Sequence, residues 1–324
     1  MDIKIVPAEE KYLEACAQVG IRAWESVHKS YCDCIGEELH RVAKGNWQEK
    51  KAELIRTAWT DGAFVALFGD QVVGYVLYRI RGIAGQIRDN AVDPDFWGRE
   101  INTKLCEAAF DAMRAAGCRY AHVEPGLDDG QAQARRSYSK LRFERNLPHI
   151  MYYQKLDTNM EPYATCSDTV QVIPCEEKHL DDCCRIALTA WTIIHDSYIR
   201  CLGQKMHDDL NKGWQDDLFA SVRNMQMNGH GYVAIVDGKV AGFAAYRTDG
   251  QMGVVSRNAV DPIYRGRGIA KLMYGKLING MIAEGYQYAR VHTGLDEGHA
   301  GARKAYGKVG FQLSLPTAQY FREL

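Results

Sequence analysis

The phrase Asn-Ala-Val-Asp-Pro is spelled twice in this chain, at residues 90–94 and again at 258–262. Other recurrences keep the same spacing. Pro7-Ala8-Glu9-Glu10-Lys11 returns as Pro174-Cys175-Glu176-Glu177-Lys178, and Trp24, His28 and Tyr31 return as Trp191, His195 and Tyr198. Gly126-Leu127-Asp128 returns as Gly294-Leu295-Asp296, and Arg135, Tyr138 and Phe143 return as Arg303, Tyr306 and Phe311. The offset drifts by a single residue, from 167 to 168. Such a period is far too long for a stacked solenoid, so the chain is a duplicated domain. With 324 residues it has a comfortable length for two. The expected division is a first domain at 1–155, a polar linker at 156–169 (LDTNMEPYATCSDT) and a second domain at 170–324.

Each copy spells the same order of elements. In the second, Val170–Ile173 reads as a short strand and 176–228 as helical, broken at Leu202-Gly203. Tyr232–Val236 and Val240–Arg247 are apolar strands joined by Asp237-Gly238, a hairpin signal. Gly253–Val260 is a third strand. The helix after it carries Ile269, Met273, Leu277 and Met281 on one apolar face. Tyr288–His292 is a strand, Ala300–Val309 a helix, and 311–321 contains a last strand. Hairpins followed by a strand–helix–strand unit define an α+β class. Each domain is expected to be a mixed, mostly antiparallel sheet flanked by helices.

The stretch after the second Asn-Ala-Val-Asp-Pro carries chemistry. Pro262 ends the strand. Arg265-Gly266-Arg267-Gly268-Ile269-Ala270 then leads into a helix, whose first amides lack internal partners and sit at the positive dipole end. Glycines there let the backbone approach an anion, and Arg265 and Arg267 add charge, which makes a phosphate or pyrophosphate site. A dinucleotide fold would place its first glycine directly after the strand and a third where Lys271 stands, and a triphosphate loop would need Gly-Lys-Ser/Thr. Neither pattern fits.

The whole arrangement resembles the GNAT superfamily of acyl-CoA-dependent N-acetyltransferases. Residues 258–270 match its strand ending in Val-x-Pro, then Arg/Gln-x-x-Gly-x-Gly/Ala. Ala302, Tyr306, Gly310 and Phe311 match its downstream Ala-x-x-x-Tyr-x-x-x-Gly-Phe. The resemblance covers 170–324 directly and 1–155 through the repeat. In the first copy Trp97, Glu100 and Asn102 replace Arg265, Gly268 and Ala270, and Arg142 replaces Gly310. A carboxylate roughly 4 Å from a phosphate charge costs on the order of 4 kcal/mol at an intermediate dielectric. Glu100 is therefore expected to fill the first anion site itself, by capping its own helix, and to leave that domain a structural or substrate-shaping role.

The resemblance implies direct transfer from acetyl-CoA to an amine in a ternary complex, on the C-terminal domain. It implies cofactor contacts at Asn258, Ala259, Val260, Arg265, Gly266, Arg267, Gly268, Ile269 and Ala270, with His299 where relatives carry a CoA-contacting asparagine. Tyr306 matches the general acid: a phenol is protonated at neutral pH and shields or protonates the departing thiolate. Relatives place a basic carboxylate on the strand before the loop, but Val254–Asn258 holds none. His292 is one candidate base, and deprotonation by water is the alternative. His28/His195 and Asp128/Asp296 persist in both copies and read as folding residues. Trp191 and Tyr198 read as core.

Residues 176–228 hold nine acids and six Lys/Arg. Asp208-Asp209 and Asp216-Asp217 there either wall a site for a cationic amine, such as an aminoglycoside or polyamine, or form a solvated helix face. The acceptor is expected to be a small-molecule amine. A peptide or protein amine, or a non-catalytic acyl-CoA-binding scaffold, are the alternatives.

Forty basic and 41 acidic residues nearly cancel, which argues against a nucleic-acid partner. The opening MDIKIVPAEE has no signal-peptide core, and no stretch approaches the roughly 18 apolar residues of a membrane span. A cytoplasmic chain with reduced thiols, no membrane partner and no metal is expected, since the ten cysteines lack zinc-ligand spacing. The duplication is expected to give a monomer with an internal pseudo-dimer.

Overall fold

A computed structural model of the chain describes residues 2–324. The elements run β1 (Ile3–Pro7), α1 (Leu13–Ile35), α2 (Glu37–Lys44), α3 (Trp47–Ala58), β2 (Ala63–Phe68), β3 (Gln71–Arg81), β4 (Ala84–Val92), α4 (Ile101–Ala115), β5 (Tyr120–Val123), α5 (Ala132–Lys140) and β6 (Arg145–Lys155). The second series is β7 (Cys166–Ser167), β8 (Val170–Pro174), α6 (Leu180–Leu202), α7 (Gln204–Leu210), α8 (Trp214–Asn228), β9 (His230–Val236), β10 (Lys239–Asp249), β11 (Met252–Val260), α9 (Ile269–Ala283), β12 (Tyr288–Gly294), α10 (Ala300–Gly307) and β13 (Leu313–Glu323).

The chain forms two compact units, but they are not cut as the repeat implies. One comprises residues 2–146 with 315–324, and the other residues 147–314. A cut at 155 and 170 therefore misplaces two strands. In the first unit β5 pairs antiparallel with β13, Tyr320 opposite Val123. In the second β12 pairs antiparallel with β6, His292 opposite Met151 and Gly294 opposite His149. Each unit borrows the last strand of the other repeat. Strand pairing is decided by long-range geometry, and the two terminal strands are similar in pattern, Leu147-Pro148-His149 against Leu315-Pro316-Thr317. The expected linker is also part of the second unit. Asn279 Nδ2 donates to the Tyr163 carbonyl at 2.8 Å, the Tyr163 hydroxyl donates to the Val309 carbonyl at 2.8 Å, and Cys166–Ser167 pairs with β8.

Within the second unit the strand order is β6-β12-β11-β10-β9-β8-β7. β10 is the spine, buried without interruption from Val240 to Tyr246, as expected of a strand covered on both faces. The turn before it places Asp237 at φ 48° and Gly238 at φ 74°, the two left-handed residues that join tight hairpins. On one face α9 buries Ile269, Met273, Leu277 and Met281 against Ala234, Ala244 and Val255, as its apolar spacing requires. On the other, α6 and α8 bury Cys183, Ile186, Leu218 and Val222 against Val233 and Phe243.

The parallel pair β11/β12 sets up the site. It is registered only from Met252–Val255 against Tyr288–Val291. Beyond Val255 the strands part, and the second half of β11 is half-exposed. The corresponding pair β4/β5 in the first unit is registered from Ala84 to Gln86.

Candidate active site

The parted strands open a cleft of about 810 Å³ in the second unit. One wall is Tyr264–Ala270 without Arg267, with Ala302, Ala305 and Tyr306 of α10; the other is Trp191, Ile194 and Tyr198 of α6, Ser221 and Met225 of α8, and Arg257 of β11. Because lining residues come from helices on both faces of the sheet, the cleft passes between the strands.

Asp261 builds the loop. Its Oδ1 accepts from the Ile263 amide at 3.1 Å, and its Oδ2 pairs with Arg185 at 2.8 Å. Asp93 does the same in the first unit, with the Asp95 amide at 3.0 Å and Arg22 at 2.7 Å. The repeated Asn-Ala-Val-Asp-Pro is thus a loop scaffold common to both units. After it the backbone turns left-handed at Gly266 (φ 82°) and Gly268 (φ 74°), and α9 begins without a side-chain cap. Arg265 is exposed beside them, whereas Arg267 lies over the Tyr264 ring at 5.3 Å. The residues fit a pyrophosphate: free helix-terminal amides, no side chain in the concavity, and a cation at its rim.

Tyr306 is buried, 3% exposed, and its hydroxyl lies 3.1 Å from Asn258 Nδ2. The Tyr274 hydroxyl donates to Asn258 Oδ1 at 2.7 Å. The Tyr306 hydroxyl also lies 3.2 Å from Oδ1, whose two lone pairs serve both tyrosines, so Tyr306 is within hydrogen-bond reach of both Asn258 side-chain atoms at the edge of the cleft. Burial raises its pKa, and the hydrogen bonds from Tyr274 and Asn258 only partly oppose this, so the phenol stays protonated at neutral pH. The first unit keeps the tyrosine–asparagine pair and lacks the second tyrosine. Tyr138 donates to Asn90 Oδ1 at 2.7 Å, and Cys106 stands where Tyr274 is.

His292 is exposed at the cleft and stacks on His149, ring centroids 5.1 Å apart. His149 belongs to the first repeat in sequence and to the second unit in space. Burial, with the charges of His292 and His299, pushes its pKa down to about 4, and its Nε2 is buried without a hydrogen-bond partner. His299 Nδ1 is engaged by Asp296 Oδ2 at 2.5 Å. Burial would raise the Asp296 carboxyl, but His299 holds it below its ordinary value.

Of the residues singled out from sequence, Asn258, Ala259, Val260, Arg265, Gly266, Gly268, Ile269, Ala270, His292, His299 and Tyr306 all line this one cleft, and Arg267 does not. Trp191 and Tyr198 also face it and are not purely core, because the parted strands leave α6 uncovered there. None of Asp208, Asp209, Asp216 and Asp217 lines it. Asp208 instead accepts from Gln204 at 2.8 Å. His195 and His28 lie outside both clefts. His195 contacts His207 at 2.8 Å and stacks on Trp214 at 3.8 Å, and His28 contacts His40 at 2.9 Å and stacks on Trp47 at 4.0 Å. Sequence reasoning missed His149, Arg257 and Ser221. For His149 no local signal exists, because only the strand exchange brings it here.

The expected self-capping by Glu100 is not what forms. Glu100 is exposed, takes φ 57°, and makes no capping hydrogen bond. The loop keeps the backbone shape of its glycine-bearing twin, and that shape points the side chain outward. The first cleft, about 670 Å³, is altered instead by Trp97, whose indole Nε1 donates to the Val92 carbonyl at 2.8 Å.

Fold and site together define an acyl-CoA-dependent acetyltransferase. The family model for the acetyltransferase (GNAT) family matches twice, at residues 24–143 and 191–311. The chain belongs to that family, as two tandem copies of its domain. It is 25% identical over 156 residues to N-alpha-acetyltransferase 30 of Schizosaccharomyces pombe, covering 47% of this chain and 90% of the relative. Among solved structures, a GCN5-related N-acetyltransferase from Sphaerobacter thermophilus matches with TM-score 0.59 at 15% identity, over 99% of this chain and 95% of that one. A tandem GNAT protein from the clavulanic acid biosynthesis pathway matches with TM-score 0.57 at 10% identity, over 99% and 98%. At these identities the two structures speak for the fold. Among the described residues no helix is long and apolar enough to cross a membrane, and no group of three or more His, Cys, Asp or Glu is placed to hold a metal ion.

Proposed function

We propose that the second unit transfers the acetyl group of acetyl-CoA directly to a primary amine of a small molecule bound in the same cleft. The observation that carries this reading is the Tyr306–Asn258–Tyr274 network beside an open, glycine-lined helix terminus, which the first unit lacks. The amine nitrogen attacks the thioester carbonyl, the carbon–sulfur bond breaks, and the thiolate takes the Tyr306 proton. The amine loses its surplus proton to His292 or to water. Backbone amides at Gly266–Ala270 hold the pyrophosphate, and the backbone of Asn258–Val260 lines the pantetheine path. Trp97 and Glu100 leave the first unit without this chemistry.

Titration calorimetry of acetyl-CoA into the full chain tests the assignment. One site per chain, lost in Gly268→Glu, is expected; two sites, or one that survives Gly268→Glu, would refute it. A second reading, acetylation of a peptide α-amine, draws on the name of the fission-yeast relative. An amine screen with small molecules and short peptides separates the two.

A further inference from the structure

Arg257 is the cation of the acceptor wall. It follows the last residues of β11 paired with β12, projects toward α6 and α8, and lines the cleft. Its Nε donates to Ser221 Oγ at 3.1 Å, and its guanidinium lies over the Trp191 ring at 5.3 Å. Among the described residues no Asp or Glu forms an ion pair with it, and its two terminal nitrogens have no hydrogen-bond partner. Burial pulls its pKa below the ordinary arginine value, and the only opposing influence is Tyr198. A half-buried cation without a counter-charge is costly.

The first unit shows how the same fold neutralises this position. Its equivalent residue is Asp89, 5% exposed, bonded to Lys51 at 2.9 Å and to the Tyr75 hydroxyl at 2.7 Å. In the second unit the position has become arginine and no internal partner has been supplied. The rest of the wall is basic or neutral: Arg247, His149 and His292 line it, and Glu297 is the one carboxylate on the cleft, at the α10 end. Ser221 and Trp191 hold the guanidinium of this cleft-lining residue and leave its two terminal nitrogens, a two-pronged donor, without a protein partner. That edge matches a planar carboxylate.

We propose that Arg257 grips a carboxylate of the acceptor, so that the acceptor is a primary amine carrying a carboxylate, of the amino-acid type. This inference rests on the second unit being the transferase site. It sets aside the cationic amine that a wall of the acidic pairs of 176–228 would have suited, since those pairs lie outside the cleft.

The test uses the full chain with acetyl-CoA and follows thiol release. Acceptors are matched pairs of amino acids and their carboxamides, compared at equal free-amine concentration, with spermidine and a phosphate-bearing amine alongside. The carboxylate form is expected to be favoured in kcat/KM by on the order of tenfold to a hundredfold, the range of hydrogen bonds to charged groups. Arg257→Gln should abolish that preference, mainly through KM, and Arg257→Lys should keep part of it. Acetyl-CoA affinity within about twofold of the parent chain, a modest margin on this scale, shows that each variant is folded. Equal or better use of the carboxamides or spermidine, a phosphate-bearing amine preferred over the carboxylates, or a preference that survives Arg257→Gln would each overturn the inference. Acetyl-CoA binding without turnover of any carboxylated amine would overturn it too and leave the cofactor assignment standing. Failure to bind acetyl-CoA would remove the underlying reading.

Discussion

Glu100 takes the left-handed backbone that Gly268 takes, φ 57° against 74°, at the equivalent start of a helix. A side chain other than glycine is strained there. Glu100→Gly is therefore expected to stabilise the chain by about 1 kcal/mol, read from the midpoint of urea unfolding at unchanged slope. An unchanged or lowered midpoint would show that Glu100 makes a compensating interaction in solution.

Tyr306 and Tyr274 converge on the Asn258 side chain, their hydroxyls 3.2 Å and 2.7 Å from its Oδ1. Tyr306→Phe is expected to lower kcat by about a hundredfold, the lower range for a lost general acid, with acetyl-CoA affinity nearly unchanged. Tyr274→Phe removes a hydroxyl that shares Asn258 Oδ1 with Tyr306 and whose hydrogen bond lowers the Tyr306 pKa. It should lower kcat less and shift the basic limb of the kcat–pH profile, a change that mere loosening of the fold would not produce.

His195 and His28 are held neutral by burial, with pKa values pushed down to about 4 and about 3 from an ordinary 6.5; the neighbouring His207 and His40 add to the effect. The unfolded chain therefore takes up protons that the folded chain refuses. Stability is full above pH 6.5 and falls as the pH drops toward 4. Unfolding midpoints measured between pH 7 and 5 should decline, and His195→Gln should flatten that decline. A parallel decline in the variant would place the acid sensitivity elsewhere.

Strand exchange makes the fragment boundaries decisive. Residues 147–314 contain β6 and its partner β12, whereas 170–324 leaves β12 without that partner and removes the buried Tyr153. An unpaired strand edge invites aggregation. The fragment 147–314 should express as a soluble, cooperatively unfolding species, and 170–324 should aggregate or unfold broadly. Equal behaviour of both would mean that β6 adds little to the second unit.

Much of this protein was determined by local sequence. The hairpin at Asp237-Gly238, the apolar face from Ile269 to Met281 and the glycine loop at 265–270 are all local patterns, whose backbone preferences and periodicity act over a few residues. The duplication was also legible, because side chains with the same structural task recur. Tertiary structure alone decided which terminal strand completes which sheet, and so brought His149 beside His292. It also left Arg257 a cation without a carboxylate partner among the described residues and denied Glu100 the capping role its charge had implied. Those outcomes depend on residues distant in the chain meeting across parted strands, and on a backbone angle that points a side chain away from the amides it would have capped.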